Sequence, residues 1–133
     1  MRKGVIALFA LALGITAAAV PALAHHSFSA EFDASKPATV QGYVTKIEWT
    51  NPHAYFFIDV RDESGKVTNW ALEMGSPNGL MRQGWTRTAL TIGDVVTVDG
   101  SRAKDGSNVA NAKNVTLANG QRLFAASSQG NGS

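Results

Sequence analysis

Apolar and polar residues alternate along much of the chain after residue 38, a pattern typical of β-strands that bury one face. Turns rich in Gly, Asn and Asp separate five such segments, which are predicted at residues 39–50, 54–62, 67–74, 95–103 and 109–117. The second and third strands should pair as a hairpin. The positions expected to face the core are Phe56, Ile58, Val60, Trp70, Leu72, Met74, Val96 and Val98.

The first predicted strand carries a change of phase. Val40 and Val44 stand at even-numbered positions, whereas Ile47 and Trp49 stand at odd-numbered positions. This slip predicts a β-bulge at residues 45–46, because one extra residue moves the following side chains to the opposite face. A bulge also bends a strand, so the first strand could pair with neighbours on both sides of a barrel.

One short helix interrupts the strands. Ser76 and Pro77 are typical of an N-cap and a first helical residue, and Gly84 of the residue after a helix, so residues 77–83 are predicted to be helical. A further short strand is predicted at residues 121–124, after an Asn-Gly turn. Five strands with a helix between the third and fourth predict an all-β fold, a five-stranded OB-like barrel.

A signal peptide is predicted over residues 1–24. Two basic residues precede an apolar run at residues 5–20, and small residues at Ala22 and Ala24 form a signal peptidase motif. The run is shorter than the roughly 18 residues of a spanning helix, so cleavage before His25 is favoured over an uncleaved anchor. The mature chain would then be periplasmic or secreted, with no stable membrane insertion.

The predicted mature chain is long enough for one domain. Residues 25–38 should form an N-terminal arm, residues 39–124 the barrel, and the Gly-rich residues 125–133 a disordered tail. Phe28 and Phe32 are the large apolar side chains of the arm, and they are expected to pack on the outside of the barrel.

The net charge and the cysteine content argue against several kinds of binding partner and reactive site. The chain has twelve basic and ten acidic residues, and removal of Arg2 and Lys3 with the signal peptide leaves ten of each. A neutral chain without a basic stripe argues against a nucleic acid partner. The absence of cysteine excludes disulfides, thiolate metal sites and cysteine nucleophiles.

Several short motifs resemble an uncharacterised family, a domain of unknown function found in small exported bacterial proteins. They are HHSF at 25–28, EFD at 31–33, GYVTKIEWTNPHA at 42–54, NW at 69–70, GSPN at 75–78, GWTR at 84–87 and GD at 93–94. The resemblance covers nearly all of the predicted mature chain and implies export and a common fold, but no reaction. The strand order is also similar to that of bacterial periplasmic OB-fold proteins.

The three histidines of the chain are candidate metal ligands. Cleavage before His25 would free an α-amine that, with the imidazole of the same residue, can chelate one ion. His53, in the loop after the first strand, could add a third nitrogen, and such a set suits Cu(II) or a related ion. In a second arrangement, the amine would bind copper with the amide and imidazole of His26 and need no folded domain. A third interpretation is that all three histidines bind no ligand.

A second candidate site is aromatic. Tyr55 and Phe57 lie on the non-core face of the second strand, Tyr43 lies on the outer side of the first, and Trp49 lies near its end. The second and third strands commonly carry the ligand surface of OB folds. A glycan, peptide or protein of the cell envelope would suit this face, unless the N-terminal arm covers it.

Catalysis has little support in the sequence. Ser27 or Ser76 could be combined with His53 and Asp59, but neither serine stands in a nucleophile-elbow motif. Glu73 is expected to form an ion pair with Arg82 or Arg87. Met74 and Met81 could ligate Cu(I), although packing is the commoner role of methionine. The sequence therefore favours a binding protein over an enzyme.

Overall fold

Six β-strands and two short helices make up residues 27–126, the part of the chain that the computed structural model describes. In chain order the elements are α1 (Ser27–Glu31), β1 (Phe32–Glu48), β2 (Tyr55–Arg61), β3 (Val67–Glu73), α2 (Pro77–Arg82), β4 (Val95–Ala103), β5 (Val109–Thr116) and β6 (Arg122–Phe124). Neither helix in this range has the length and hydropathy needed to cross a lipid bilayer.

The strands close into a ring. Their order in the sheet is β3-β2-β1-β4-β5-β6, and β3 also pairs with β5. The closing contact is parallel and joins Ala71 to Val109, Leu72 to Ala110 and Glu73 to Asn111, whereas the other strand pairs are antiparallel. The predicted all-β fold, with five strands in the ring and a short helix between the third and fourth, is confirmed.

The long first strand serves both halves of the ring. Its second half pairs with β2, and the register shifts between Val44 and Lys46, which confirms the predicted bulge. Its first half pairs with β4 from Phe32 onward, so β1 begins seven residues before the predicted start at Thr39. Residues 32–38 of the expected arm are therefore part of the sheet, and α1 precedes them.

The core lies inside the ring and contains the apolar positions that alternation predicts. Phe56 and Ile58 are fully buried, and Val60 packs against the cluster while keeping some exposure. The other predicted core residues are also buried, namely Trp70, Leu72, Met74, Val96 and Val98. Burial of these side chains is the main favourable contribution to the free energy of folding.

The helix α2 begins and ends as its sequence predicts. The Ser76 hydroxyl accepts a hydrogen bond from the Gly79 N–H at 3.1 Å, and Gly84 follows the helix with φ at +98°. The next residue, Trp85, is buried, and its indole N–H donates to the Phe124 carbonyl at 2.8 Å. This bond ties the segment after α2 to β6.

The fold continues beyond β6. Ala125 is fully buried, and its carbonyl oxygen accepts from the Gly75 N–H at 2.9 Å while its own N–H donates to Lys113. Ala125 therefore belongs to the folded domain and not to the expected tail. Residues 127–133 of that predicted tail lie outside the described residues, as does the predicted signal peptide.

Two glycines allow neighbouring strands to approach closely. A Cβ atom at Gly42 would clash with the backbone carbonyl of Asp59, and one at Gly100 would clash with that of Asn111. Gly42 of β1 faces the neighbouring strand β2, and Gly100 of β4 faces the neighbouring strand β5. Gly100 also lies at a register shift between β4 and β5. The close approach of the paired strands at these points therefore requires glycine.

Candidate functional site

The orientation of His53 is set by the backbone of the β2–β3 hairpin. The hairpin ladder extends beyond Tyr55, because the Ala54 N–H donates to the Gly75 carbonyl at 3.0 Å and the Met74 N–H donates to the Ala54 carbonyl at 2.8 Å. This extension brings the loop residue His53 beside Met74. The imidazole Nδ1 lies 3.0 Å from the Met74 carbonyl oxygen.

This hydrogen bond determines which imidazole nitrogen carries the proton. A carbonyl oxygen only accepts, so the Nδ1 atom of His53 must donate. The neutral ring then has its lone pair on Nε2, the nitrogen through which many histidines bind metals. The side chain is 28 % exposed, so the ring lies at the surface of the domain.

Glu73 is a buried carboxylate next to His53. Its side chain is only 10 % exposed, and its Oε1 lies 3.8 Å from the Nδ1 of His53. The Tyr55 hydroxyl donates to the other carboxylate oxygen, since Tyr55 and Glu73 are directly opposed in the β2–β3 register. Burial of a carboxylate is costly unless hydrogen bonds compensate for lost hydration, and Tyr55 supplies such a bond.

The surroundings of Tyr55 keep its hydroxyl protonated. Its pKa is raised above the ordinary value, first by burial and then by the hydrogen bond to Glu73 and the negative charge of that residue. The charges of Glu31, at the end of α1, and Glu48, at the end of β1, add to the increase. The end of α1 therefore lies within electrostatic range of this site.

Of the predicted metal ligands, His53 is the one that the structure places. His25 and His26 lie outside the described residues, and α1 begins directly after them at Ser27. Within residues 27–126, no three His, Asp or Glu side chains form a group that could hold a metal ion. The described part of the site thus offers one imidazole nitrogen beside one buried carboxylate.

The two methionines considered as Cu(I) ligands differ in position. Met74 is fully buried in the core cluster, so its sulfur is enclosed and only its backbone carbonyl reaches the site. Met81 lies on α2 with 47 % of its surface exposed. Packing is therefore the role of Met74.

The aromatic residues assigned to the outer face occupy different environments. Tyr43 is 58 % exposed, and Tyr55 and Phe57 are half-buried. The Lys46 Nζ lies 5.3 Å from the centre of the Phe57 ring. Trp49 packs against the core instead, and its indole N–H is buried without a hydrogen-bond partner in the described chain. The face therefore consists of Tyr43, Tyr55 and Phe57, without Trp49.

The aromatic residues at the start of the described chain pack on each other. The rings of Phe28 and Phe32 are 5.6 Å apart, and Phe32 is buried opposite Ala103 of β4. An open groove of about 330 Å³ lies beside them, with Glu31, Phe32, Lys104, Asp105 and Val109 in its lining. Tyr55 and Phe57 nevertheless remain partly exposed, so this segment does not cover the outer face completely.

The serine, histidine and aspartate considered for catalysis have other partners. The Ser76 hydroxyl caps α2, and the Asp59 carboxylate accepts a hydrogen bond from Asn69 at 2.8 Å. Glu73 contacts Tyr55 and His53, not the arginines after β3 that were expected to pair with it. Ser76, His53 and Asp59 are thus engaged separately and do not form a nucleophile–base–acid arrangement. The side chain of Ser27, the other serine considered, is not among those that the structure describes.

A protein-family model matches residues 12–112, most of the chain and nearly all of the ring. The chain belongs to the family of unknown function DUF6152. The match includes His25, His26, His53 and Glu73. No curated protein matches the chain at a significant level. Membership in DUF6152 agrees with the resemblance to an uncharacterised family that the sequence motifs indicated. It assigns no reaction to the chain.

Proposed function

We propose that the chain is an exported binding protein that holds copper, or a related metal ion, through His53 and the histidines at its mature N-terminus. The observation that carries the proposal is the hydrogen bond from His53 Nδ1 to the Met74 carbonyl. This bond leaves Nε2 as a ligand atom on a ring whose orientation the hairpin already fixes. A fixed ring loses less conformational freedom when it binds an ion.

The proposed ligand set depends on cleavage before His25. The new α-amine and the imidazole of His25 would chelate the ion, and Nε2 of His53 would supply a third nitrogen. Cu(II) favours such nitrogen ligands in tetragonal geometry. Chelation by the amine with the amide and imidazole of His26 is the competing arrangement, and it would not involve His53.

Chain length is compatible with the three-nitrogen site. The helix α1 advances about 6 Å between Ser27 and Glu31, since each helical residue rises about 1.5 Å. Two extended residues before Ser27 add about 7 Å of reach. The charge of Glu31 already acts on Tyr55, which is two residues from His53. The proposed arrangement requires a terminus at His25 to come within bonding distance of His53.

A Cu(II) titration of three proteins tests the proposal. The first has a free His25 terminus, the second carries one extra residue before His25, and the third is the His53→Asn variant of the first. Asparagine places an amide N–H near the position of Nδ1, so it can still donate to Met74 while Nε2 is lost. Calorimetry would give affinity and stoichiometry, and EPR would report the number of nitrogen ligands.

We expect one tight site that both the extension and His53→Asn weaken strongly. Binding that depends on the terminus but ignores His53 would mean a chelating tail, and the folded site would be rejected. Binding that ignores both changes would overturn the metal assignment entirely. Melting temperatures of the metal-free proteins serve as the control for folding.

A recognition module for an envelope glycan, peptide or protein is the second candidate function. It is favoured by the exposure of Tyr43 and the part-exposure of Phe57, because the second and third strands carry the ligand surface of OB folds. Co-sedimentation with purified peptidoglycan provides a direct test. Tyr43→Ala and Phe57→Ala should reduce retention, whereas Met81→Ala, an exposed apolar change on α2 and away from the β2–β3 sheet face, should not. Equal retention of all variants would reject the face.

A further inference from the structure

We propose that Glu73 and Asn111 recognise the ammonium group of a slender organic amine, and that the ligand is a linear diamine. The two residues are register partners across the parallel β3–β5 closure, so their side chains lie on the same face of the sheet. The inference goes beyond the proposed function, because it requires neither a metal ion nor the residues before Ser27.

Glu73 is a buried charge with no lysine or arginine paired to it among the described residues. Its side chain is 10 % exposed, and its one ion-pair contact there is His53, at 3.8 Å. The Nδ1 proton of His53 is already donated to the Met74 carbonyl, and Tyr55 bonds the Oε2 atom of Glu73. The other carboxylate oxygen, Oε1, therefore accepts no hydrogen bond from residues 27–126. A cationic ligand would offset the cost of burying this charge.

Asn111 is a second buried polar group beside Glu73. It is only 5 % exposed, and its side chain makes no hydrogen bond to any other part of residues 27–126. Folded proteins leave few buried polar groups unbonded, so such a side chain indicates a partner such as a ligand or an ordered water. An ammonium group has three N–H donors and no acceptor. The carboxylate of Glu73 and the amide oxygen of Asn111 are acceptors suited to it.

The charges that act on Tyr55 show that the electrostatic potential at this place is negative. The pKa of Tyr55 is raised by burial and then by the hydrogen bond to Glu73 and its charge, with further contributions from Glu31 and Glu48. Each of these three charges is a carboxylate. Lys46 is paired with Glu48, which leaves Glu73 and Glu31 as the main sources of the field. Such a field attracts a cation and repels an anion, so an amine fits better than a phosphate or a carboxylate.

The open groove beside α1 provides room for the rest of the ligand. Val109 lines this groove and stands two residues before Asn111 on β5, on the same face of the strand and about 7 Å away. The carboxylates of Glu31 and Asp105 and the ammonium of Lys104 also line the groove, so its net charge is negative. A second ammonium group about this far from the first, as in putrescine, would lie in the groove.

Calorimetric titration of the protein with putrescine, in the presence of EDTA to remove metal ions, tests the inference. We expect one-to-one binding that weakens as the ionic strength rises, because salt screens the attraction between charges. Butylamine, which has one ammonium group, should bind more weakly. The neutral diol with the same carbon chain should not bind. Absence of putrescine binding, or equal binding of the diol, would overturn the inference.

Three variants assign the binding to its residues. Glu73→Gln removes the charge but keeps an oxygen that can accept from Tyr55, and it should weaken putrescine binding roughly 10- to 100-fold. Asn111→Ala removes a neutral acceptor and should weaken binding roughly 5-fold. Asp59→Asn is the matched control, because it removes one negative charge from the strand of Tyr55 at a residue that bonds Asn69.

The affinity of the Asp59→Asn variant for putrescine should stay nearly unchanged. Melting temperatures without ligand show whether each variant folds, and the salt dependence of the unmodified protein needs no variant at all. An unchanged affinity in Glu73→Gln, or an equal loss in Asp59→Asn, would contradict recognition by Glu73.

Discussion

The imidazole of His53 and the backbone of Met74 are joined by a hydrogen bond of 3.0 Å that links a loop side chain to the end of β3. Because β3 pairs with both β2 and β5, its end is held from two sides. The orientation of the ring is thus a property of the folded hairpin. A ligand atom positioned in this way needs little rearrangement on binding.

Loss of the hydrogen bond between His53 and Met74 should lower the stability of the fold, by an amount that depends on which residue replaces His53. His53→Ala leaves the Met74 carbonyl without its partner, and we expect a loss of about 1 kcal/mol in the free energy of unfolding. His53→Asn should lose less, because its amide can still donate. Urea denaturation of the metal-free proteins measures both values. Identical losses would show that the bond does not contribute.

Trp85 and Trp49 should respond differently to replacement by phenylalanine. Trp85 donates to the Phe124 carbonyl at 2.8 Å, whereas the Trp49 indole N–H is buried with no acceptor in the described chain. Trp85→Phe leaves a carbonyl unpaired and should cost about 1–3 kcal/mol beyond the lost packing. Trp49→Phe removes an unpaired donor, so its cost should be limited to packing.

Chemical denaturation followed by far-ultraviolet circular dichroism compares the two variants without relying on tryptophan fluorescence. A larger loss for Trp49→Phe than for Trp85→Phe would contradict this account. It would imply that the Trp49 indole has an acceptor, for example an ordered water molecule.

The bulge in β1 and the buried face of β2 were predictable because both are visible in the alternation of apolar and polar residues. The alternation is regular in β2 and shifts by one position in β1. The early start of β1 was not, since residues 33–36 include no large apolar side chain, are mostly exposed and leave no alternating pattern. The pairing of Phe32 with Ala103 joins residues 71 positions apart, and no local pattern reports such a contact.

The role of Glu73 was missed for a related reason. Its charge suggested nearby arginines in the sequence, but its partner is a tyrosine on the neighbouring strand. The register of the β2–β3 hairpin contained the missing signal. A hairpin that pairs Arg61 with Val67 must also place Tyr55 opposite Glu73. Counting back from the turn would have brought the two residues together.

Glycine substitutions should separate steric from conformational effects. Gly100→Ala inserts a methyl group against the Asn111 carbonyl, so we expect a loss of about 1–3 kcal/mol or more. Gly106 lies in an open turn with φ at +77°, where a methyl group meets no atom within 4 Å. Gly106→Ala should cost only the strain of that backbone conformation, about 1–2 kcal/mol.

Thermal or urea unfolding of the two glycine variants gives the comparison. Gly42→Ala would place a methyl group against the Asp59 carbonyl, so it tests the steric effect at a second position. If Gly106→Ala proved the most damaging of the three, the close approach of the strands could not be the reason for glycine at positions 42 and 100.

Three Asp-x-Ser motifs, one near the start of β1 and two in turns, should make stability depend on pH. In each, the serine Oγ lies 2.6 Å from the aspartate Oδ1, and the pairs are Asp33 with Ser35, Asp62 with Ser64 and Asp105 with Ser107. Hydrogen bonds from the serine hydroxyl and nearby backbone N–H groups lower the pKa of all three carboxyls. The folded state therefore favours the ionised form of each aspartate.

The sign of the dependence follows from proton linkage. A carboxyl with a lower pKa in the folded state contributes stability that is fully present above its unfolded pKa, about 3.9. That stability is lost as the pH falls below this value and through the folded pKa. Urea midpoints should therefore decrease between pH 5 and pH 3, and Asp62→Asn should make the decrease shallower. A variant with an unchanged slope, or an NMR titration that places the pKa of Asp62 at its ordinary value, would show that the turn does not favour the carboxylate.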